Sequence, residues 1–453
     1  MRASREPCHS CPSDDNRHRS FASSAPSGMS DRLIEYFGFS EELATLTITL
    51  FIFGYCVGPL FWGPLSEQYG RRPVFLVSFP VYICFTFGCA LSRNTTSIMI
   101  FRLLCGVFAA APMSNSGALI SDIWDAQTRG KALSLFIIAP FMAPAWGTIL
   151  SGYLAESALS WRWLFWIMAI IAGVSLLLIA FTLPETYGPV LLVQKARALR
   201  ADTGDDRYTA PLELAPPMSI SARAHYTVSV PFKMLVQEPT LIATTVYMSF
   251  LYGCMYLLFE AFPIVYIEGH HFGTGPAGLV WIPPVIGVIT SVLVYIQVFE
   301  KRYTDVLSGR RSMKMSPELR LESAIWGAPL FAGSFFWFGW TSDPSISYWS
   351  PLMAGLVMGF AIIWIFLALF NYIIEVYLSC AASALAANTV VRSIAAAGFP
   401  LFASQMYRKL SPQWASTVIG CCSVLMIPIP FVLQRFGPAL RRKSRFVPAS
   451  NRT

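Results

Sequence analysis

Charge is what this sequence has least of. Of its 453 residues only 13% are Asp, Glu, Lys or Arg, about half the share of an ordinary globular chain. A fold of this length in water needs far more polar surface, so a soluble globular protein is excluded. Histidine is scarce as well, with five in all and none inside an apolar run, which disfavours haem or metal chemistry built on imidazole. No G-x-x-x-x-G-K-[ST] loop is present, so ATP-driven work is not indicated. Strict apolar–polar alternation is missing, which disfavours an outer-membrane barrel. No polar cluster suited to catalysis stands out. No enzyme activity, cofactor or metal is expected. The ten cysteines do not form a disulfide scaffold. Eight of them (Cys56, Cys84, Cys89, Cys105, Cys254, Cys380, Cys421, Cys422) lie in or beside apolar runs, where Cys is usually a small hydrophobe. Cys8 and Cys11 form a lone C-x-x-C with no second pair.

What is present in quantity is apolar sequence, at 55% of the chain. It comes in runs of about 20 residues, the length that crosses a bilayer core of about 30 Å as a helix. Eleven such spans fall near 43–62, 74–92, 97–119, 132–154, 161–183, 239–262, 278–298, 322–341, 348–376, 380–405 and 414–437. The fold class is therefore all-α and polytopic, with the lipid bilayer as solvent. A polar stretch over 184–238 separates five spans from six and reads as a linker. The organisation is then a non-membrane segment 1–42, a first bundle 43–183, the linker, a second bundle 239–437 and a basic tail 438–453.

Positive charge is unevenly shared. Segments 63–73, 120–131, 184–238, 299–321 and 435–453 hold 22 Lys and Arg, and the alternate loops hold four: Arg93, Arg162, Arg408 and Lys409. The positive-inside rule puts the first set in the cytosol. It also explains the net charge of +8 without nucleic acid as a partner.

The stretch "GPLSEQYGRRP" at 63–73 is unusual between two apolar runs. Gly63 and Gly70 permit tight turning and close helix approach. Glu67 can meet a helix N-terminus or an arginine, and Arg71 can meet helix C-terminal carbonyls or a carboxylate. Gly63, Leu65, Ser66, Glu67, Gly70, Arg71 and Arg72 together fit G-x-L-S-[DE]-x-x-G-R-[RK]. This resembles the signature loop between the second and third spans of the major facilitator superfamily. The contacts of such a loop form in one conformation of a carrier and break in the other. "FRLLCGVFAAAP" (101–112) resembles that superfamily's fourth span. "APFMAPAWGTILSG" (139–152), with Pro140, Pro144, Gly147 and Gly152, resembles the antiporter-type fifth span, although Ala143-Pro144, Gly147-Thr148 and Ser151-Gly152 stand where Gly-Pro or Gly-Gly pairs are expected. "LPETYGPVLL", "SPELRL", "FNYIIEVY", "AASALAANTVVRS" and "FPLFASQMY" resemble the fungal drug:proton antiporter-1 branch. The resemblance implies a twelve-span, two-bundle carrier. Residues 20–42 resemble the outer end of that branch's first span and the loop after it. Residues 1–19 are therefore expected to be an atypical start, and a first span to be encoded upstream.

Several polar residues fall at membrane depth, where they are costly and mark function. Arg102 sits in the outer half of its span beside small residues, and the resemblance implies a part in proton coupling. Glu260 precedes Pro263 and is either interfacial or cavity-facing. Asn388 lies one turn before Arg392 on one face, and Asn371 shares a face with Glu375. Glu375 is either solvated or available to pair with Arg392. Asn115 and Asp122 share a face. Asn115, Asn371, Asn388, Tyr252 and Tyr256 are candidates to line a substrate cavity, and Arg102, Glu260, Glu375 and Arg392 to couple protons. The expected activity is proton-coupled export of small organic molecules such as drugs or polyamines by alternating access. The partners would be the substrate and protons, and the carrier a monomer in the plasma membrane. Nutrient uptake on the same fold, and a shortened non-transporting protein, are the alternatives.

Overall fold

The computed structural model describes residues 30–124, 128–214, 220–308, 310, 316–444 and 446, and the described part is helical almost throughout. The helices are α1 (Ser30–Phe37), α2 (Glu41–Tyr69), α3 (Arg71–Ala90), α4 (Thr95–Ile123), α5 (Arg129–Phe136), α6 (Ile138–Glu156), α7 (Arg162–Thr182), α8 (Gly188–Thr203), α9 (Pro211–Leu214), α10 (Ile220–Gln237), α11 (Pro239–Pro263), α12 (Thr274–Leu279), α13 (Ile282–Tyr295), α14 (Lys301–Leu307), α15 (Glu322–Thr341), α16 (Trp349–Val376), α17 (Ala381–Met426) and α18 (Pro428–Lys443). Backbone polar groups in hydrocarbon must pair within their own segment, which is why apolar runs of this length become helices.

Among the described residues nine helical stretches are long and apolar enough to cross a membrane. One of them, Ser383–Lys443, turns back at Ser411, whose φ of 66° breaks α17 just before Pro412. That stretch makes two passes. The 20-residue helix α15 falls outside the nine because Gly, Ser and Trp dilute its aliphatic content, yet it packs inside the second half against α16 and α17. Each of the eleven apolar runs thus lies in helix. The CHSC pair and residues 1–29 lie outside the described residues.

The first half packs α4 against α2 and α3, with α7 on the flank of α3. Its outer face turns Ile170, Leu177 and Phe181 of α7 outward, as lipid-facing side chains require. The second half is the better enclosed. Helix α11 is buried along nearly its whole length by α17 and its neighbours, and α16 is wrapped by α13 and α15. The two halves meet along two seams, α2 against α17 and α6 against α12 and α13.

One expectation is corrected. The connection 63–73 is mostly not a loop. Helix α2 runs through Pro59 and Pro64 to Tyr69, and α3 begins at Arg71, leaving Gly70 as the only break. Gly70 has φ 102°, a left-handed value that favours glycine. Gly63 serves neither a turn nor a close approach, since a side chain there would meet open space. Helices α8, α9 and α10 occupy much of 184–238, and a bidentate pair of Arg200 with Glu213, at 2.8 and 3.1 Å, clasps α8 to α9.

Candidate functional site

The break at Gly70 positions a set of charged groups at the basic end of the first half. Arg71 is buried, and its Nε donates to Asp122 Oδ2 of α4 at 3.1 Å. Its Nη1 donates to the Ser66 hydroxyl, which in turn donates to Asn115 Oδ1 at 2.8 Å. The guanidinium lies 4.8 Å from the centroid of the Tyr187 ring. The N-terminus of α3 carries free N–H groups and positive dipole. Glu185 answers both, accepting from Arg71 N at 2.9 Å and Arg72 N at 3.2 Å. Arg72 donates to the carbonyl of Ala180 at the end of α7. Leu65 and Glu67 stand exposed on the last turn of α2.

The second half has its own charged cluster at the same end. Arg320, in the one-turn 3-10 segment Pro317–Leu321, donates to Glu300 at 2.5 Å and to Glu375 at 2.6 Å. Burial opposes the Arg320 charge, but Glu375 and Glu300 overcome that and lift its pKa above that of a free guanidinium. Breaking such a buried pair by removing one partner costs about 3–5 kcal/mol. Glu300 also reaches across to the start of α5, where a side chain on Gly130 would meet its carboxylate. Nearby, Arg441 of α18 holds Glu318 with two bonds of 2.9 and 3.0 Å. Ser444 donates to Glu238 at 2.8 Å, and so does Tyr377 at 3.1 Å. The tail is therefore pinned under the second half.

At the opposite end the seams are closed. A side chain on Gly152 of α6 would come within 3 Å of the Thr274 backbone. Glu156 accepts from the Gly275 N–H at 2.8 Å. Thr49 of α2 donates to the Ala397 carbonyl of α17 at 3.5 Å.

Between these ends lies a buried centre. An apolar pocket is lined by Phe141 of α6 and, from the second half, by residues such as Met255, Leu258, Trp281, Phe331 and Met358. Phe141 meets Phe366 edge-on at 5.4 Å across the seam. Arg392 lies against that same Phe366 at 5.1 Å and against Tyr252 at 4.7 Å. It is 9% exposed, its Nε has no acceptor among the described residues, and no carboxylate pairs with it there. Burying an arginine at this depth costs about 2.5–3.5 kcal/mol on insertion scales. Aromatic faces return about 0.5–2 kcal/mol, and an unmet buried donor costs about 1–3 kcal/mol more. The contacts of Arg392 therefore do not offset its burial. On the other side of the seam Arg102 is 2% exposed, donates from Nε to the Thr47 carbonyl at 3.2 Å and lies 4.5 Å from the Phe51 ring centroid.

A family model described as Major Facilitator Superfamily matches residues 20–400. The chain belongs to the major facilitator superfamily. It is similar to the efflux pump FUBT of Fusarium oxysporum, 40% identical over 428 residues, which is 94% of this chain and 71% of that one. It is also similar to the major facilitator superfamily multidrug transporter FLU1 of Candida albicans, 38% identical over 89% of this chain and 66% of that one. Among solved structures it superposes on the proton:xylose symporter XylE with a TM-score of 0.62, at 17% identity, over 91% of this chain and 92% of that one. The last likeness concerns the fold alone. As a superfamily member the chain is a multi-pass membrane transporter.

The superfamily loop brings together Ser66, Gly70, Arg71 and Arg72, and draws in two residues from elsewhere. Asn115, expected at the substrate cavity, bonds Ser66 and so sits in this cluster. Asp122, not Glu67, supplies the carboxylate for Arg71, because the end of α4 lies beside the start of α3. Glu375, left open between solvation and a pair with Arg392, accepts instead from Arg320 at 2.6 Å. Glu260 is 1% exposed and accepts from Ser404 of α17, enclosed between two helices. Asn371 donates to Tyr295 at 3.3 Å, and Asn388 to Thr245 at 3.2 Å; both are buried helix-to-helix contacts. Tyr252 and Tyr256 meet edge-on, with hydroxyls 3.5 Å apart. Of the fifth-span set, Pro144 and Gly152 are buried in α6, and Pro140 and Gly147 are half-buried. Sequence reasoning passed over Glu185, Glu300, Glu318 and Arg320 as functional residues. "LPETYG" and "SPELRL" carried the signal, as carboxylates or arginines placed where a helix begins.

Proposed function

We propose that this transporter exports small organic molecules across the plasma membrane in exchange for protons, by rocking its two halves about the central cavity. What supports this reading is similarity over 94% of the chain to a protein named as an efflux pump, together with a cavity between halves whose far seam is closed. Arg71 with Asp122 and Glu185, and Arg320 with Glu300 and Glu375, are the groups that would part and reform at the cytosolic end as the halves move. A carboxyl at membrane depth is the natural proton carrier, and Glu260, held by Ser404 between α11 and α17, is the best placed. Arg102, buried against Thr47 and Phe51 in the first half, would supply a fixed positive charge there.

The test is a preloaded-cell export assay in a host stripped of its own exporters, with Glu260→Gln beside the wild type. Export should require an inward proton gradient and should collapse with a protonophore. Glu260→Gln should lose gradient dependence while the protein still reaches the membrane. Accumulation of substrate in expressing cells would reverse the direction, and export indifferent to the gradient would remove the proton.

A further inference from the structure

Arg392 is a cation that the protein leaves unanswered. It stands on α17 at the seam, more than nine-tenths buried, with an Nε–H that meets no acceptor among the described residues. The charged and titratable groups facing it are Tyr252 and Tyr256 of α11, both phenols. The carboxylates that could have neutralised it are engaged elsewhere: Glu375 with Arg320, and Glu260 with Ser404. Its guanidinium rests on Tyr252 and Phe366, and Phe366 touches Phe141, a wall of the central cavity. Arginine stays protonated under all ordinary conditions, so this charge is permanent and cannot itself carry the proton.

We infer that Arg392 is the anchor for an anionic substrate: the carrier takes lipophilic organic acids whose planar carboxylate docks on Arg392 and whose apolar body lies against Phe366, Phe141 and the cavity wall. This rests on the export reading above and narrows its substrate. A carboxylate offers the charge-assisted, two-point bond that a guanidinium prefers, and it supplies the acceptor that Nε lacks. An aromatic or alicyclic body suits walls made of Phe, Met, Leu and Trp. A cationic substrate would instead meet an uncompensated positive charge in a medium of low polarity. With proton exchange the coupling is also favourable. An anion leaving and a proton entering both move positive charge inward, so an inside-negative potential drives both.

The probes are naphthoate, naphthamide and naphthylmethylammonium, which share a ring system and differ in charge. Binding to the purified full chain is read by thermal unfolding. Wild type should bind naphthoate at least about tenfold more tightly than either analogue, as expected when a charge-assisted bond of about 1.5–3 kcal/mol is lost or made neutral. Arg392→Gln should erase the preference for the carboxylate and move naphthamide binding little. Arg392→Lys keeps the charge but loses the planar fork, and should retain only part of the preference, which keeps the test open if the Gln variant fails to fold. Equal or tighter binding of the ammonium by wild type overturns the proposal. So does an unchanged carboxylate preference in Arg392→Gln, or no binding of naphthoate, cinnamate or octanoate. Carboxylate binding without export would leave this site standing and bring down the export reading. Export indifferent to ligand charge would do the reverse.

Discussion

Arg71 shows how one side chain can be bound from three directions at once: Asp122 on its Nε, Ser66 on its Nη1 and Glu185 on its backbone N–H. Removing it would strand the Asp122 carboxylate beside a helix start, and adding a side chain to Gly70 would collide with Glu185 at an unfavourable φ. Arg71→Ala and Gly70→Val are therefore expected to lower export by about tenfold or more, since each disrupts charge-assisted hydrogen bonds worth about 1.5–3 kcal/mol. Membrane insertion should be retained. Efflux rate and surface labelling, measured together, check this. Full export by either variant would reduce the cluster to packing. At this scale the sequence was legible where residues cluster along the chain, as in 63–73. It was illegible where partners come from afar. Nothing near Arg71 announces Asp122 or Glu185, 51 and 114 positions away. Glu375 was left either solvated or paired with Arg392, whereas the fold gives it Arg320, 55 positions away.

Helices were the most readable elements, because length and apolarity alone dictate a span. Their ends were not. Pro64 lies inside α2, because proline bends a membrane helix without ending it when neighbours support the turn. The linker was read as polar, and its charges pair with one another. Two hydrogen bonds from Arg200 hold the Glu213 carboxyl down at about 2. A carboxyl depressed in this way stabilises while ionised. Its contribution is complete above the ordinary value of 4.5 and fades as pH falls from there through about 2. Spin labels at Val193 and Leu212 should thus keep one separation at pH 7 and pH 5, to about 1 Å, and spread apart only on strong acidification. Glu213→Gln should weaken the clasp already at neutral pH. A separation that changes between pH 7 and pH 5 would contradict the ionised clasp.

The whole molecule is a pair of halves pressed together at the end away from the basic loops. Gly152 sets how near α6 comes to α12, so Gly152→Leu should wedge that seam open. The separation between labels at Ala158 and His271 should lengthen by roughly the 2–3 Å that a bulky side chain inserts between packed helices, whose axes otherwise lie about 8–10 Å apart. An unchanged separation in a folded variant would remove Gly152 from the seam. At the basic end the tail has a different consequence. Glu238 opens the second half and Ser444 closes it, 206 positions later in the chain. Synthesis runs from the amino end, so Glu238 and Glu318 enter the membrane assembly long before Ser444 and Arg441 exist. Until the last turn of α18 has left the ribosome, both carboxylates lack their tail partners. The second half is therefore sealed only once the last turn of α18 has been made. A polypeptide that stops short of Arg441 carries the mark of its own incompleteness, as uncovered negative charge, to whatever inspects newly made membrane proteins.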